Sequence, residues 1–286
     1  MRKSRLNEEP SGDTLRLYNW PTSTCSQKVR LVLAEKGLEF EDVRLNARQS
    51  EHLSDWYLKL NPNGVVPTLT HGPLIIIDSS VIAEYIDEVF REAPLSPSDA
   101  YGRAKMRAWR QFIDEVPTAA IRVPSYNGYI VHLWKHVPPD DFEKLVEKRT
   151  IRRQFYRELG QRGSTAEKEH ESIEMLRETI IRMDKSLRQT LWIVGEQFTL
   201  ADIALVPTLI RMSDIGLSDL WKDFPTIESW LRRVQQRPSF QKAFYEGSRF
   251  SQRGSHPAIE AIRDASEITD TKSEKIGNLL RIDGHQ

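Results

Sequence analysis

The alternation of hydrophobic and polar residues changes its period several times in the first third of the chain. Short runs typical of strands are TLRLYN at 14–19, FEDVRL at 40–45, VPTLT at 66–70 and LIII at 74–77. Apolar residues at the three- and four-residue spacing of a helix occupy 25–37, 49–60 and 80–90. The resulting order, β-α-β-α-β-β-α, predicts a layered α/β domain.

After Phe90 the chain changes character. The stretch REAPLSPSDA is a proline-rich linker of the kind that separates domains, and beyond it only helical periodicity remains. The predicted helices cover 100–120, 166–190, 200–213, 225–236 and 239–246, with a less regular segment over 121–165. The charge-rich stretch 143–172 is most simply the solvated face of a helix.

These patterns divide the chain into four parts. They are a flexible tail over 1–12, an α/β domain over 13–92, an all-helical domain over 99–250 and a polar tail over 251–286. The expected fold class is therefore an α/β N-terminal domain followed by an all-α domain.

Composition narrows the functional classes. The 41 basic and 41 acidic side chains balance, so the net charge gives no reason to expect nucleic acid or an acidic membrane as a partner. No apolar run in the sequence is long enough to span a membrane. Cys25 is the only cysteine, so we expect no internal disulfide and a reducing, cytoplasmic compartment. The histidines lack metal-ligand spacing and no glycine-rich nucleotide motif is present, which predicts neither a metal nor a nucleotide cofactor.

The loop Trp20–Gln27 joins a predicted strand to a predicted helix. Ser23, Cys25 and their neighbours therefore lie near a helix N-terminus, where the dipole and free N–H groups stabilise a thiolate. A serine hydroxyl there could donate a hydrogen bond to a bound thiolate, which is the nucleophilic form of sulfur. The alternative is structural, with the serines capping the helix and Cys25 packed as a small hydrophobic residue.

Val66-Pro67 opens a predicted strand. A proline cannot donate to a sheet ladder, so it belongs at an edge or in a special turn. If the bond between them is cis, the backbone of Val66 turns outward and can pair with an extended peptide ligand. The alternative is an ordinary trans proline at the start of an edge strand.

Asp78-Ser79 stands between the strand LIII and the helix 80–90. We predict that Ser79 is the helix N-cap, where backbone donors favour a bound carboxylate, and that Asp78 could pair with a ligand ammonium. The alternative is that Ser79 only caps the helix. A second cap signal, Thr199-Leu200-Ala201-Asp202, resembles a capping box and is assigned a structural role.

Four motifs follow one another along the chain: a serine-containing loop, NPNGVVP, Asp-Ser opening a helix, and TLAD in a helical half. With these motifs in this order, the chain resembles the cytosolic glutathione transferases from about Leu15 to Phe244. The resemblance implies a thioredoxin-like glutathione domain, a helical domain that shapes a pocket for a hydrophobic electrophile, and a homodimer. Glutathione would be the co-substrate and detoxification the broad role.

The resemblance also implies roles for individual residues. Val66 would pair its backbone with the cysteinyl part of glutathione, with Pro67 in the cis form. Asp78, in place of the glutamate of most relatives, and Ser79 would hold the γ-glutamyl end. His52 would contact the glycine carboxylate, although the lysine that follows this histidine in phi-class enzymes is absent here.

Two residues compete as the activating group. Ser23 matches the catalytic serine of phi-like classes, whereas Cys25 matches the cysteine that forms a mixed disulfide in the tetrachlorohydroquinone reductive dehalogenase. The pattern WYLKLNPNGVVPTL and the long 121–170 segment are similar also to bacterial β-aryl etherases and to the ganglioside-induced differentiation-associated proteins.

Three functions follow from this resemblance. The first is an enzyme that transfers glutathione to an electrophile, or uses it to reduce or cleave one. The second is a non-catalytic binding or scaffold protein on the same fold, and the third a thiol reductase that uses Cys25 alone. The residues predicted to line the electrophile pocket are Trp20, Trp109, Tyr126 and Tyr129.

Overall fold

The computed structural model describes residues 14–250, and the tails predicted over 1–12 and 251–286 lie outside this part of the chain. Its sheet has four strands in the spatial order β2-β1-β3-β4. The strands are β1 (Leu15–Asn19), β2 (Glu41–Arg44), β3 (Thr68–His71) and β4 (Leu74–Ile77). β1 pairs in parallel with β2 and antiparallel with β3, and β3 and β4 form the predicted hairpin.

The helices of this domain lie close to their predicted positions. They are α1 (Thr24–Glu35), a 3₁₀ turn (Glu51–Leu53), α2 (Asp55–Leu60) and α3 (Ser79–Val89). α1 ends where Gly37 takes φ 65°, a left-handed conformation that a glycine adopts without strain. The helix predicted over 49–60 is interrupted at Ser54, whose backbone is extended.

The rest of the described chain is helical. Its longer helices are α4 (Ala100–Glu115), α10 (Ala166–Leu187), α11 (Leu200–Asp214) and α12 (Pro225–Gln235). Its shorter ones are α5 (Pro117–Ala120), α6 (Arg122–Ser125), a π-helical turn (Tyr126–Ile130), α7 (Val131–Trp134), α8 (Pro139–Glu147), α9 (Arg153–Leu159), a 3₁₀ turn (Ser218–Trp221) and α13 (Pro238–Ala243). The fold class is thus an α/β domain followed by an all-α domain, as predicted.

One hydrophobic core runs through both halves. It joins Leu17 of the sheet and Val32 of α1 to Leu205 of α11 and Trp230 of α12, all of which are fully buried. α1 therefore packs on the helical half as well as on the sheet, and this fixes the loop before it. Removal of this much apolar surface from water is the main force that holds the two halves together.

The predicted capping box at the start of α11 is confirmed. The Thr199 side chain accepts a hydrogen bond from the backbone N–H of Asp202, and the Asp202 side chain accepts one from the backbone N–H of Thr199. Asp202 is fully buried and also accepts from the Ile193 N–H and the Trp230 indole N–H, both at 2.9 Å. This carboxylate thus ties three segments of the helical half together.

The charge-rich stretch 143–172 is not one helix as predicted, although most of its residues are exposed or half-buried. The stretch breaks into the end of α8, an irregular turn, α9 and the start of α10. Arg149, in the turn, is only 4% exposed, because its guanidinium lies 3.7 Å above the centre of the Tyr156 ring. This region has a small apolar cluster of its own, in which Tyr126 and Val146 are fully buried.

Within residues 14–250, no helix is long and apolar enough to cross a membrane.

Candidate functional site

The N-terminus of α1 carries both residues that compete as the activating group. Ser23 is the N-cap, and its hydroxyl oxygen accepts from the Ser26 N–H at 3.2 Å. This bond uses one lone pair, so the Ser23 O–H stays available as a donor. Cys25 lies in the first turn and is partly exposed. The capping role predicted as the structural alternative is therefore real, and it leaves the donor role open.

The surroundings of Cys25 favour its thiolate. Burial acts to raise the pKa of the Cys25 thiol, but nearby positive charges outweigh it, and the net pKa lies below that of an ordinary cysteine. The charges are those of Lys28, Arg152 and Arg122. A hydrogen bond with the Ser79 side chain lowers this pKa further.

We predict that Cys25 is alkylated as a thiolate below the usual pH. The rate of its reaction with iodoacetamide should rise with pH to a plateau whose midpoint lies below that of a free cysteine measured in the same assay. Lys28→Met should move the midpoint upward, because it removes a positive charge. A midpoint at or above that of glutathione, measured in the same assay, would contradict the prediction.

The start of α3 differs from its prediction in one respect. The N-cap is Asp78, not Ser79: its carboxylate accepts from the Ser80 N–H at 2.8 Å and the Val81 N–H at 3.2 Å. Asp78 reaches these donors from a strained backbone, with φ 71° and ψ 128°, which lies outside the regions that non-glycine residues favour. Ser79 is the first helical residue, and the cap is made by Asp78 instead.

The Val66–Pro67 peptide bond is cis, as the resemblance implies. Pro67 precedes β3, which lies between β1 and β4, so of the two alternatives the edge strand is excluded and the special turn applies. The Val66 side chain packs with Tyr18 and Tyr57. Neither its N–H nor its C=O is hydrogen-bonded to another residue within 14–250, so both can pair with an extended ligand.

His52 is held between two other side chains. Its ring meets Trp20 edge to face at 4.6 Å, and its Nε2 lies 3.1 Å from the Arg149 guanidinium. Burial and the charges of Arg149 and Arg152 lower the pKa of His52 to about 3, so the ring is neutral near pH 7. Because an arginine can only donate, Nε2 is the acceptor and Nδ1 carries the proton.

A polar network lies behind the first turn of α1. The Lys28 ammonium donates to the Ser80 hydroxyl at 2.8 Å and to the Asp114 carboxylate at 2.9 Å. Ser80 in turn donates to the second Asp114 oxygen at 2.5 Å. Three helices, α1, α3 and α4, are thereby locked around the same cleft.

The four residues predicted to line the electrophile pocket lie in different surroundings in the structure. Trp20 lies at the cleft, against His52. Tyr126 is fully buried and donates to the Gly160 carbonyl, so it is a packing residue. Tyr129 donates to the Asp214 carbonyl and stacks on the Phe250 ring.

Trp109 is the fourth of these residues. Its ring contacts within the described chain are with Phe112 of the same helix and Arg182 of α10. None of these contacts joins it to Trp20 or Cys25, and its place in the electrophile pocket stays a prediction.

Sequence reasoning missed the basic residues of the cleft. Arg122 comes from α6, and Arg149 and Arg152 come from the turn between α8 and α9. Burial and the neighbouring Arg152 lower the pKa of Arg122 to about 10. The run KRTIRR at 148–153 was a visible signal, but its period does not reveal which arginines turn inward.

Among the residues described, no group of three or more His, Cys, Asp or Glu side chains could hold a metal ion. The cleft instead offers a helix N-terminus with a hydroxyl and a thiol, free backbone groups at Val66, and a neutral histidine. This donor set fits a small peptide that carries carboxylates and sulfur.

Comparison with known proteins defines the class. The family model of the glutathione S-transferase N-terminal domain matches residues 13–88, and that of the C-terminal domain matches 165–233. Protein LigF from Sphingobium sp. strain NBRC 103272 / SYK-6 is 30% identical over 244 residues, which cover 82% of this chain and 95% of LigF. The chain therefore belongs to the glutathione S-transferase family.

Two further comparisons indicate the branch. The crystal structure of the beta-etherase LigF superposes with a TM-score of 0.74 at 29% identity, covering 81% of this chain and 98% of that one. The human ganglioside-induced differentiation-associated protein 1-like 1 is 29% identical over 269 residues, which cover 80% of this chain and 73% of the relative. Both groups are among those that the sequence motifs resemble.

Proposed function

We propose that this protein is a glutathione transferase, which binds glutathione, stabilises its thiolate and transfers it to an electrophile. The observation that carries the proposal is the cis Val66–Pro67 bond, beside which the Val66 N–H and C=O have no hydrogen-bond partner within residues 14–250 and can pair with a peptide ligand. The N-termini of α1, with Ser23 and Cys25, and of α3, with Ser79, offer donors for the sulfur and the acidic end of such a ligand. Glutathione would lie along the free backbone of Val66 with its γ-glutamyl carboxylate at Ser79 and its glycine toward His52.

In this proposal the chain acts on the glutathione sulfur. Lowering a thiol pKa from about 8.5 toward 7 requires about 2 kcal/mol of preferential stabilisation of the thiolate. One hydrogen bond to a charged group contributes about 1.5–3 kcal/mol, so the Ser23 O–H suffices with help from the helix dipole. The thiolate attacks the electrophilic carbon, a carbon–sulfur bond forms, and the leaving group departs with its electron pair.

A second candidate is a glutathione-dependent thiol reductase, which the lowered pKa of Cys25 favours. The Cys25 thiolate would attack the glutathione sulfur of a mixed disulfide and release the substrate thiolate. A second glutathione thiolate would then free Cys25 and leave as glutathione disulfide. This route needs Cys25 and does not need the Ser23 hydroxyl.

Two substitutions separate the candidates. If the protein is a transferase that relies on Ser23, Ser23→Ala should lower kcat/KM for conjugation of glutathione to a chloronitroarene by about 10- to 100-fold, the value of one charge-assisted hydrogen bond. Cys25→Ala should leave that rate within a few fold but abolish deglutathionylation of a mixed disulfide. The reverse pattern would select the reductase. Ser98→Ala, at an exposed linker serine, is the matched control.

The scaffold alternative predicts a different result. A non-catalytic protein on this fold would show no turnover with a chloronitroarene, a β-aryl ether or a halogenated hydroquinone in wild type or either variant. Titration calorimetry with glutathione then decides whether such a protein binds glutathione or does not bind it. Lack of both binding and turnover would overturn the proposed function.

The proposal extends to a cytoplasmic homodimer with a role in detoxification, divided into domains over 13–92 and 99–250. Exposed apolar residues of β4 and α3 support the dimer, since Leu74, Ile75 and Val81 are each about half accessible to solvent in the single chain. Association through this face would cover them.

A further inference from the structure

The loop between β1 and α1 is held through its backbone carbonyls. Trp20, Pro21 and Thr22 belong to neither the strand nor the helix, and Pro21 has no N–H group to donate. The carbonyl of each of the three accepts a hydrogen bond from a buried arginine, Arg30 or Arg211. Because partly buried carbonyls need a donor in place of water, these two side chains replace the backbone ladder that the loop lacks.

Arg30 supplies two of these contacts from the second turn of α1. It is 2% exposed, and it donates from Nη1 to the Trp20 carbonyl at 3.3 Å and from Nη2 to the Pro21 carbonyl at 2.7 Å. The guanidinium also donates to Asn19 Oδ1 at 2.8 Å and, from Nε, to the Ala243 carbonyl at 3.0 Å. Four oxygens placed around one planar group match the fixed donors of a guanidinium, whereas the N–H groups of a lysine all lie on one atom.

Arg211 supplies the third contact from the helical half. It lies on α11, is 6% exposed and donates from Nη2 to the Thr22 carbonyl. Its Nη1 donates to the Ser125 hydroxyl of α6 at 3.4 Å. The loop is thus joined both to its own helix and to two helices of the other half.

The segment 243–250 packs on both arginines. The Arg30 guanidinium lies 5.1 Å from the centre of the Tyr245 ring, and the Arg211 guanidinium lies 3.6 Å from the centre of the Phe250 ring. A cation over an aromatic face is attracted to it, so each ring favours the orientation in which its arginine reaches the loop.

Ser23 follows directly on the three residues that the arginines hold. Its N–H donates to the Trp20 carbonyl at 3.3 Å, its carbonyl accepts from the Gln27 N–H at 2.8 Å, and its hydroxyl caps α1. Its backbone is therefore fixed by the arginines before it and by the helix after it. A hydroxyl that is to donate to a bound sulfur needs such support, because a hydrogen bond weakens steeply with misalignment.

We propose that Arg30 and Arg211 are positioning residues for sulfur activation. By holding the three loop carbonyls they aim the Ser23 hydroxyl at the glutathione sulfur, and they act through that serine and not on the sulfur itself. The inference rests on the proposed function for the role of the hydroxyl, but the hold on the loop can be measured without glutathione.

Hydrogen exchange of the ligand-free protein tests the hold on the loop. In Arg211→Met, which removes the donors and keeps an apolar stem of similar length, the peptide over 20–27 should exchange about tenfold faster than in wild type. Arg233→Met is the matched control. Arg233 also donates to a backbone carbonyl, that of Leu191, and lies over the Trp192 ring, but it has no contact with the loop within residues 14–250. It should leave the exchange of 20–27 unchanged.

The pH profile of conjugation tests the effect on the sulfur. A misaligned Ser23 stabilises the bound thiolate less and so raises its pKa. Arg211→Met should therefore lower kcat/KM for 1-chloro-2,4-dinitrobenzene at saturating glutathione about tenfold near pH 6.5 but less than about twofold near pH 9, where the thiolate forms without help. Ultraviolet absorbance of the bound thiolate should show the same upward shift in its pKa. KM for glutathione should change little, because the loop carbonyls do not bind it.

A double-mutant cycle decides whether Arg211 acts through Ser23. In the Ser23→Ala background, Arg211→Met should cause little further loss near pH 6.5, so the two losses should fall far short of multiplying. Losses that multiply, or a loss in Arg211→Met that is equal at every pH, would overturn the inference. Unchanged exchange of the loop in a folded Arg211→Met protein would overturn it as well.

Conservative variants keep the test decisive if Arg211→Met does not fold. Arg30→Lys and Arg211→Lys each keep the charge but offer fewer donor directions, so both should show the faster loop exchange and the pH-dependent loss in weaker form. Wild-type behaviour of both would overturn the inference. If Ser23→Ala leaves conjugation unchanged, the proposed role of Ser23 fails whatever the arginines do. If Ser23→Ala slows conjugation and the arginine variants do not, only the role of the arginines fails.

Discussion

Replacement of Asp202 by alanine is expected to lower the free energy of unfolding by about 4 kcal/mol. The carboxylate is fully buried and accepts from the Ile193 N–H, the Trp230 indole and, at 3.0 Å, the Thr199 N–H. Alanine leaves all of these donors buried without an acceptor, at about 1–3 kcal/mol each, and also removes half of the capping box. Partial relaxation reduces the sum to the stated loss.

Equilibrium unfolding in urea measures this effect. The urea concentration at the midpoint should fall strongly. The slope of the unfolding free energy against urea concentration should stay unchanged, because the native fold is the same. Asp202→Asn keeps one acceptor oxygen and should recover about half of the loss. Asp219→Ala, at an exposed position of the same domain, is the control and should cost less than about 0.5 kcal/mol. A loss below about 1 kcal/mol for Asp202→Ala would show that the carboxylate does not tie the three segments together.

Acidification should destabilise the protein through His52. Its pKa is lowered to about 3 in the folded chain, by burial and by Arg149 and Arg152, whereas the unfolded chain has the ordinary value of about 6.5. Between these values the unfolded state binds a proton that the folded state does not. The stability from the neutral ring is thus fully present above about pH 6.5 and is lost as the pH falls toward 3. At pH 4.5 the loss is about 3 kcal/mol.

Comparison of two histidine variants isolates this term from the titration of carboxylates. His52→Gln keeps an acceptor for Arg149 but cannot bind a proton, so its stability should fall less between pH 7.5 and 4.5 than that of wild type, by about 3 kcal/mol. His136→Gln, at an exposed histidine, should follow wild type. Equal losses in wild type and His52→Gln would show that the ring is protonated in the folded state.

Local sequence signals predicted the elements near the cleft well because their causes are local. Strand and helix periods in 14–90 reproduce the observed order, and the Thr199–Asp202 box forms as its spacing requires. Local signals were ambiguous where two residues offer the same chemistry. Asp78 and Ser79 are both good N-caps, and only the left-handed backbone at Asp78 decides between them.

The prediction of the pocket residues was less accurate, because here too one local signal is compatible with two roles. Aromatic residues pack in cores and line pockets alike, and spacing does not separate the two uses. Tyr126 is at the centre of the small apolar cluster, whereas Trp20 lies beside the sulfur-binding loop. Whether an aromatic residue of the segment 121–165 lines the cleft depends on how that segment packs on the α/β domain.

By itself the sequence determined the order of strands and helices, the Cys25 and Ser23 pair at the start of α1, and membership of a family that handles glutathione. Only the tertiary structure decided that the charges of Arg122 and Arg152 lower the pKa of Cys25 and that His52 is buried against Arg149. Period and capping act over a few residues and can be seen in the chain. Electrostatic contacts between residues about a hundred positions apart exist only after the core has brought distant segments together.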